Sequence, residues 1–358
     1  MAIIVLKTIN RCNSDCIYCF ADKSGKLKKV DLPLMETVFE RIKQYHREDN
    51  PKTVEIQWHG GEPLLLGKEF YKKVAEKQSE IFANEHNGII HSFQSNLTLL
   101  TKEFLQVLRQ LHLKNIGTSI DPDPTLRVLK NKSDHEKFME QFLGALRLLE
   151  ENKIGYGMNY VVTQKSLKKS FPIFYFLTNI GLTGTISVNP VLIKNKSLNY
   201  LKISPDEFAR FIQITFPLWW SHRKSLGSME PYQSLYDAAR SLGIGLKPDR
   251  NYPEIPLILD SDGNFYHHRN PKSLGNIQKH TLQQMISIVS DFNTMVIKKY
   301  GTVRKCDTCE LWTFCYCNTL MDAFSQNEDY NNGKWCLTRK RFMKEYLLPF
   351  LKKNNEAA

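Results

Sequence analysis

Short apolar segments of strand length alternate with amphipathic helical segments over the first 200 residues, and no other feature limits the fold as strongly. Parallel neighbours in a sheet require crossover connections, which the helical segments supply. Right-handed crossovers curl such a sheet toward a barrel. The sequence therefore predicts an α/β fold, a partial (β/α)6 barrel, whose strands are Ile3 to Thr8, Val54 to Trp58, Ile89 to Gln94, Asn115 to Ile120, Tyr156 to Val162 and Thr185 to Asn189.

The pattern changes after residue 200. Helical periodicity dominates residues 201–250, which we expect to form a helical linker region. Two short apolar runs then flank Asp262 and Gly263, a dipeptide typical of a tight hairpin. Cysteines follow in a loop-rich stretch. We therefore predict a small C-terminal domain organised by metal over residues 251–358, in addition to the barrel domain of residues 1–200.

The chain carries an excess of positive charge, with 49 Lys and Arg against 37 Asp and Glu. A net charge of +12 is compatible with binding to nucleic acid, with binding to an acidic peptide, or with a solvated basic surface. The basic residues are widely spread, and the densest run is typical of an amphipathic terminal helix. This distribution makes nucleic acid the weaker candidate and leaves the other two open.

The sequence also limits the compartment. No apolar run reaches the roughly 18 residues of a membrane helix, and the first residues lack the basic and apolar regions of a secretory signal. We therefore expect no membrane association and a cytoplasmic location. The 8 cysteines lie in two groups, near the two ends of the chain. Such groups, in a reducing compartment, favour metal binding over disulfides.

Three cysteines directly follow the first predicted strand, at Cys12, Cys16 and Cys19. Open parallel sheets bind ligands at the carboxyl ends of their strands, where this loop begins. A structural zinc normally takes four protein ligands, and the nearest residue that could complete a set is Asp15. An iron-sulfur cluster held by three thiolates keeps one iron open. The spacing favours such a cluster, with zinc as the alternative.

The segment WHGGEP follows the second predicted strand, and an aromatic residue stands directly before the third cysteine. With CxxxCxxC after the first strand, this arrangement resembles the radical S-adenosylmethionine superfamily. The resemblance implies a [4Fe-4S] cluster whose open iron is chelated by the amino and carboxylate groups of S-adenosylmethionine. It also implies that the GGEP segment holds the methionine amino group. The cofactor-binding residues implied here are Tyr18, Gly60, Gly61, Glu62 and Pro63.

Further matches to the same superfamily occur at the ends of later strands. FQSNLTLLT resembles its third-strand motif, which implies that Ser95 and Asn96 line the cofactor site. TSIDPDPTLR resembles its fourth-strand motif, which implies Ser119 near the ribose and Arg127 near the cofactor carboxylate. The usual glycine after the aspartate is missing, and a surface arginine is the alternative. Asn189 is a candidate for contacting the ribose or adenine, with capping of the strand end as the alternative.

The second group of cysteines reads CxxCx5CxC, followed by one more cysteine. It resembles the SPASM and twitch extensions of radical S-adenosylmethionine enzymes, which carry auxiliary iron-sulfur clusters. The resemblance implies one auxiliary [4Fe-4S] cluster, with a four-thiolate zinc site as the alternative. A second auxiliary site of that family is predicted to be lost, since His268 stands where a cysteine is expected. The implied ligands are Cys306, Cys309, Cys315 and Cys336.

Three residues near this group have open roles. Cys317 is a spare thiol, and its candidate roles are alternate ligand, hydrogen donor to a substrate, or inert buried residue. His267 and His268 either cap and fill the vacated site or ligate iron.

The resemblance implies a radical S-adenosylmethionine enzyme. Relatives with similar motifs modify peptides or proteins, so we expect a RiPP maturase that removes a hydrogen atom from a precursor peptide and oxidises the radical to a crosslink or related product. The alternatives are a sulfatase-maturing formylglycine-forming oxidase and a nucleic-acid-binding or RNA-modifying metal protein. Because the chain begins directly with a strand, peptide recognition is expected to fall to the barrel surface, the second domain or a separate leader-binding protein. The expected electron donor is a flavodoxin or ferredoxin.

Overall fold

The computed structural model describes residues 1–19, 21, 25–48, 53–83, 88–130, 134–180, 184–193, 195–243, 255–267, 270, 272–304, 308–311 and 334–354. The chain divides into two compact units. The first contains Met1–Gly157 and Glu254–Asn293, and the second contains Met158–Pro253 and Thr294–Ala358.

The strands coincide closely with the short apolar segments of the sequence. In chain order the described strands are β1 (Ala2–Lys7), β2 (Ser14–Cys16), β3 (Val54–His59), β4 (Ile89–Gln94), β5 (Leu113–Ile120), β6 (Arg127–Leu129), β7 (Gly155–Val162), β8 (Ile186–Pro190), β9 (Met229–Glu230), β10 (Leu257–Asp260), β11 (Asn264–Tyr266) and β12 (Gly275–Asn276).

Helices follow most of the parallel strands, and side-chain caps fix several of their starts. The Thr101 hydroxyl and the Asp134 carboxylate each accept a hydrogen bond from a first-turn N–H, and Ser204 forms a capping box with Glu207. The described α-helices are α1 (Leu32–Glu48), α2 (Lys68–Phe82), α3 (Lys102–Gln110), α4 (His135–Glu151), α5 (Gln164–Leu167), α6 (Ser170–Thr178), α7 (Pro205–His222), α8 (Tyr232–Gly243), α9 (Leu282–Arg304), and the terminal helices Lys334–Arg341 and Leu348–Lys353, which a π-helical segment, Phe342–Leu347, joins.

Within the first unit the sheet runs in the order β12, β11, β10, β1, β3, β4, β5. The pairs from β10 through β1, β3 and β4 to β5 are parallel, whereas β11 and β12 are added as antiparallel strands. A separate antiparallel ribbon joins β2 to β6. Because β1, β3, β4 and β5 run in the same direction, the loops that leave them meet at one edge of the sheet.

In the second unit, β7 pairs in parallel with β8, and β8 pairs in parallel with β9. Helices α7 and α8 of this unit contact each other through aromatic side chains. Phe216 and Trp219 stack on Tyr232, whose hydroxyl lies 2.7 Å from that of Thr215. These buried contacts give the second unit an aromatic core of its own.

The predicted α/β fold with parallel strands is confirmed, and each of the six predicted strands is present with ends within two residues of those expected. The predicted hairpin around Gly263 is also present, as β10 and β11. Its first strand pairs with β1, so residues 254–293 cluster with the first unit. The division at residues 200 and 250 stays a prediction. Among the described residues, no helix combines the length and apolarity required to cross a membrane.

A chain of hydrogen-bonded polar side chains lies inside the core between β3, β4 and α2. The indole N–H of Trp58 donates to Nδ1 of His91 at 2.8 Å, which leaves the imidazole proton on Nε2, 2.9 Å from Oε1 of Gln78. All three side chains are buried. Burial, followed by the charge of His112, lowers the pKa of His91 to about 3. The folded protein therefore keeps this imidazole neutral at pH values where an exposed histidine becomes charged.

We expect His91 to make stability fall on acidification. The unfolded chain takes up a proton near pH 6.5, whereas the folded chain does not until pH falls to about 3. Between pH 7 and pH 5 this difference costs roughly 2 kcal/mol of unfolding free energy. Urea unfolding at the two pH values measures it, and the His91→Gln variant should lose less stability over this range. The same substitution at exposed His222 is the control and should keep the wild-type dependence.

Candidate functional site

The loop with the first three cysteines leaves the carboxyl end of β1. The Cys12 thiol accepts a hydrogen bond from the backbone N–H of Ser14 at 3.3 Å and lies 3.7 Å from Nδ2 of Asn96. Cys12 and Cys16 are partly exposed and Cys19 is exposed, and all three are thiols rather than halves of disulfides. The loop therefore holds three reduced cysteines, each of which is at least partly exposed as a residue.

The β2–β6 ribbon fixes the middle of this loop. Cys16 lies directly opposite Arg127, and the ribbon extends through a hydrogen bond from Ile17 N to Leu126 O at 3.1 Å. At its other end Lys130 N donates to Asn13 O at 2.7 Å. The segment between the first and third cysteines is thereby held by backbone hydrogen bonds, which keep its thiols in a defined order in space.

The two glycines of the GGEP segment lie against the chain that leads into the cysteine loop. Gly61 N donates to Ile9 O at 2.7 Å, and Glu62 N donates to Arg11 O at 2.8 Å. A Cβ atom on Gly61 would lie 2.0 Å from Arg11 O, and one on Gly60 would lie 2.7 Å from Ile9 O. Gly60 also has a φ of +131°, a conformation that other residues rarely adopt. Glycine is thus needed for the close approach of the two loops.

The Glu62 carboxylate is buried and is bonded to its own chain. Oε1 accepts hydrogen bonds from Leu64 N at 3.1 Å and Ser95 Oγ at 2.8 Å, and Oε2 accepts one from Asn96 N at 2.7 Å. Burial raises the pKa of Glu62 to about 7, and these hydrogen bonds oppose the rise. Glu62 therefore joins the loop after β3 to the loop after β4, and Pro63 follows it as the first residue of a short 3-10 turn.

Asn96 connects this pair of loops to the cysteine loop. Besides its contact with the Cys12 thiol, its Nδ2 donates to Asn13 Oδ1 at 2.8 Å and to Ser14 Oγ at 3.1 Å. Its Oδ1 accepts from the backbone and hydroxyl of Thr98 at 3.0 and 2.7 Å. The side chain is buried, so it uses its donors and its acceptor inside the protein.

Tyr18, Asp121 and Arg127 form a cluster beside the other two cysteines. Oδ2 of Asp121 accepts a hydrogen bond from the Tyr18 hydroxyl and another from Arg127 Nε at 3.1 Å. Arg127 Nη2 also lies 3.4 Å from the Tyr18 oxygen. Burial raises the pKa of Asp121, and the Arg127 guanidinium opposes that rise. Burial likewise raises the pKa of the Cys16 thiol to about 11, again opposed by Arg127. Arg127 is therefore buried and paired rather than a surface arginine.

The remaining predicted cofactor residues lie on two strands. Ser119 is near the carboxyl end of β5, 3.4 Å from Nε2 of Gln94, and so belongs to the same unit and edge as the cysteine loop. Asn189 is exposed near the carboxyl end of β8 in the second unit. Its Nδ2 lies 3.5 Å from Ser187 O. Their contacts with a cofactor stay predictions.

The three thiols of the cysteine loop are predicted to hold a cluster, with a single zinc ion as the alternative. A mononuclear zinc site needs its sulfur ligands within about 2.3 Å of one point. In the part of the chain that the structure describes, no three His, Cys, Asp or Glu side chains are arranged to hold one metal ion. In a four-iron cluster each thiolate binds a separate iron, and the ligand atoms are therefore further apart. At this point the cluster and its zinc alternative both stay predictions.

Only part of the second cysteine group can be located. Cys309 and Cys336 are partly exposed, and Cys336 lies in the first turn of the helix Lys334–Arg341. Cys306, Cys315, Cys317 and His268 lie outside the described residues. His267 is buried, with its ring 4.9 Å from that of Phe292 and Nε2 3.3 Å from Asn293 Oδ1. The auxiliary cluster and its ligands stay a prediction.

Residues 6–165 match the model of the Radical SAM superfamily. This part of the chain is a radical SAM domain. It contains the cysteine loop, the GGEP segment and the Asp121–Arg127 cluster. Radical SAM enzymes use a [4Fe-4S] cluster and S-adenosylmethionine, so the resemblance stated from the sequence is confirmed for the family and its cofactors.

The similarity to known proteins extends beyond this domain. The cysteine-type anaerobic sulfatase-maturating enzyme of Clostridium perfringens is 21% identical over 376 residues, 98% of this chain and 97% of that protein. The structure of anSMEcpe with bound AdoMet and Cp18Cys peptide has a TM-score of 0.73 at 20% identity, covering 99% of this chain and 98% of that one. Streptococcus suis SuiB bound to precursor peptide SuiA has a TM-score of 0.54 at 14% identity, with 91% and 75% covered. These structures show the same fold.

Several residues of this edge received no role from the sequence. Asp121 lies in the TSIDPDPTLR motif, directly after β5. Lys7 and His59 end β1 and β3 as register partners. The His59 imidazole accepts a hydrogen bond from Gly60 N at 2.7 Å, and burial, followed by the Lys7 charge, lowers its pKa. In the sequence, the only sign of a role for Lys7 and His59 was their position near the ends of the predicted strands.

Gly61→Ala should displace the cysteine loop. Its Cβ would lie 2.0 Å from a backbone oxygen, a contact that only movement of one loop can relieve. We expect a loss of about 1–3 kcal/mol of unfolding free energy and less iron bound after anaerobic reconstitution. Gly144→Ala in α4 is the control, because a Cβ added at Gly144 would have nothing within 4 Å and alanine favours helix. Equal effects of the two changes would contradict this account.

Asn96→Asp should weaken the connection between Asn96 and the cysteine loop. The change keeps the size of the side chain but places a carboxylate oxygen against Asn13 Oδ1, Ser14 Oγ and the Cys12 thiol. Each unsatisfied buried group costs about 1–3 kcal/mol of unfolding free energy. The added negative charge also disfavours the thiolate form of Cys12. Iron content and thermal unfolding measure the effect. Asn195→Asp is the matched control, since that side chain is exposed and its oxygen accepts a hydrogen bond from Ser197 N.

Proposed function

We propose that this radical SAM enzyme modifies a peptide or protein, and that Cys12, Cys16 and Cys19 hold its catalytic cluster. The observation that carries the proposal is the loop after β1, which holds three thiols, with Cys12 against Asn96 and Cys16 opposite Arg127. Three thiolates leave one iron of a four-iron cluster open for another ligand. A protein that only binds nucleic acid has no use for an open iron.

The residues of the chain would act by holding the cluster and the cofactor and by shielding them. When bound, the cluster and S-adenosylmethionine would supply the removal of a hydrogen atom from an unactivated carbon. Asn96 orients the Cys12 thiol, and the β2–β6 ribbon orients Cys16. Gly60 and Gly61 allow the GGEP loop to lie directly on the cysteine loop. Ser119, near the carboxyl end of β5, is proposed to contact the nucleoside part of the cofactor.

A peptide substrate is supported by two proteins of the same fold. The anSMEcpe structure carries a bound Cp18Cys peptide, and SuiB is bound to its precursor peptide SuiA. The net charge of +12 on this chain suits an acidic peptide. Our first candidate is therefore a RiPP maturase that oxidises a precursor peptide to a crosslink or related product. A flavodoxin or ferredoxin is proposed to deliver the electron, and a separate leader-binding protein to present the peptide.

Maturation of a sulfatase is the second candidate. The likeness to the Clostridium perfringens sulfatase-maturating enzyme covers nearly the whole of both chains, which favours this reaction at least as much. Against it stands His268, at a position where the family resemblance places a cysteine of a second auxiliary cluster. The two candidates share the catalytic cluster and differ in the peptide that they oxidise.

Iron content and cofactor cleavage test the shared part of the proposal. After anaerobic reconstitution we expect about eight irons per chain, from two four-iron clusters. With dithionite and S-adenosylmethionine, the loaded protein should form 5′-deoxyadenosine, measured by mass spectrometry. Replacement of Cys12, Cys16 and Cys19 by alanine should abolish it and leave about four irons. A fully loaded wild-type protein that never forms 5′-deoxyadenosine would contradict the proposal.

Two peptide probes separate the candidates. The first is a set of small acidic peptides encoded beside the gene for this chain, and the second is the Cp18Cys peptide. A RiPP crosslinking enzyme should accelerate 5′-deoxyadenosine formation with the first and yield a peptide lacking two hydrogen atoms. A sulfatase-maturating enzyme should instead convert the cysteine of the second to an aldehyde, which hydrazine reagents trap.

A further inference from the structure

The Asp121–Arg127 pair is almost completely buried. Asp121 is 0% exposed and Arg127 is 6% exposed. The guanidinium Nε is bonded to Asp121, and Nη2 faces the Tyr18 hydroxyl. The ring of Phe138 lies 5.8 Å from the guanidinium carbon. The arginine that the sequence resemblance places near a cofactor carboxylate thus already has a carboxylate partner of its own.

The pair touches the cysteine loop at two points. In the β2–β6 ribbon, Arg127 stands directly opposite Cys16, and such opposed residues have Cα atoms about 4.5–5.5 Å apart. Asp121 accepts the hydrogen bond of the Tyr18 hydroxyl, and Tyr18 directly precedes Cys19. The pair therefore lies beside the two thiols that Asn96 does not contact. A charge in this place, away from water, acts strongly on a neighbouring cluster.

The signs of the two charges have opposite consequences for a cluster. Reduction adds one electron to the iron-sulfur core, so a nearby positive charge stabilises the reduced form and a nearby negative charge destabilises it. Arg127 and Asp121 carry one charge of each sign and so largely cancel at a distance. At Cys16 they do not cancel completely, because Arg127 is the residue directly opposite this thiol.

We propose that Asp121 and Arg127 are positioning residues for the cluster, which hold the segment from Cys16 to Cys19 through Tyr18 and the β2–β6 ribbon and tune the reduction potential by their paired charges. The inference rests on the proposed assignment of Cys12, Cys16 and Cys19 as ligands. The pair does not itself exchange electrons or protons with the cluster.

Redox titration of the reconstituted full-length protein tests this proposal. Dithionite supplies the electron, and electron paramagnetic resonance follows the reduced cluster, with the signal of the triple cysteine variant subtracted. Arg127→Gln removes the positive charge and should lower the midpoint potential. Asp121→Asn removes the negative charge and should raise it. The double variant, Asp121→Asn with Arg127→Gln, should return close to the wild-type potential, as should Arg127→Lys.

A matched control lies near the amino ends of β3 and β5. Lys114 forms an ion pair with Glu55 at 2.8 Å, and Glu55 is the second residue of β3, far from the cysteine loop. Because Glu55 is separated from the strand end by four residues of about 3.3 Å each, its pair is screened from the cluster. Lys114→Gln should therefore leave the potential unchanged.

The proposal is overturned if both single variants shift the potential in the same direction, or if neither shifts it while iron is retained. If the single variants fail to keep iron, the double variant and Arg127→Lys decide, since each preserves the net charge of the pair. Iron retention with near wild-type potentials in these two supports the proposal, and iron loss in both overturns it. A wild-type signal identical to that of the triple cysteine variant would instead refute the proposed ligands.

Discussion

The buried carboxylate of Glu62 is the interaction on which the rest of the candidate site depends. A carboxylate inside a protein is tolerated only when donors surround it, and here the donors come from its own loop and from the loop after β4. The backbone N–H of Asn96 donates one of these bonds, and the side chain of Asn96 contacts the Cys12 thiol. The position of the first thiol is therefore set by residues that follow two other strands of the sheet.

Close backbone approach is the second constraint. A side chain on Gly61 would overlap Arg11 O. Without one, the GGEP loop lies close enough to the cysteine loop for direct hydrogen bonds between the two backbones. The carboxyl ends of parallel strands bring such loops together in many proteins, but a distance this short requires glycine. On the far side of the cysteine loop, the β2–β6 ribbon and the Asp121–Arg127 pair complete its support.

The fold and the family could be predicted from the sequence because their evidence is local. Alternating periodicity identified the strands from Ile3 to Asn189, and the spacing of Cys12, Cys16 and Cys19 identified the superfamily. The partners of Glu62 and Arg127 could not be predicted in the same way. Both side chains were assigned to the cofactor by resemblance, and the structure shows each bonded within its own chain, because partners such as Ser95 are brought near only by strand pairing.

What the sequence by itself determined is the order of strands and helices and the chemical identity of the loop that carries the thiols. Periodicity and residue type act over a few neighbours and are visible in one dimension. Only the tertiary structure decided which loops touch, that β10 extends the sheet beyond β1, and that Arg127 stands opposite Cys16. Those contacts join residues far apart in the chain, and their geometry follows from strand register, which no local pattern records.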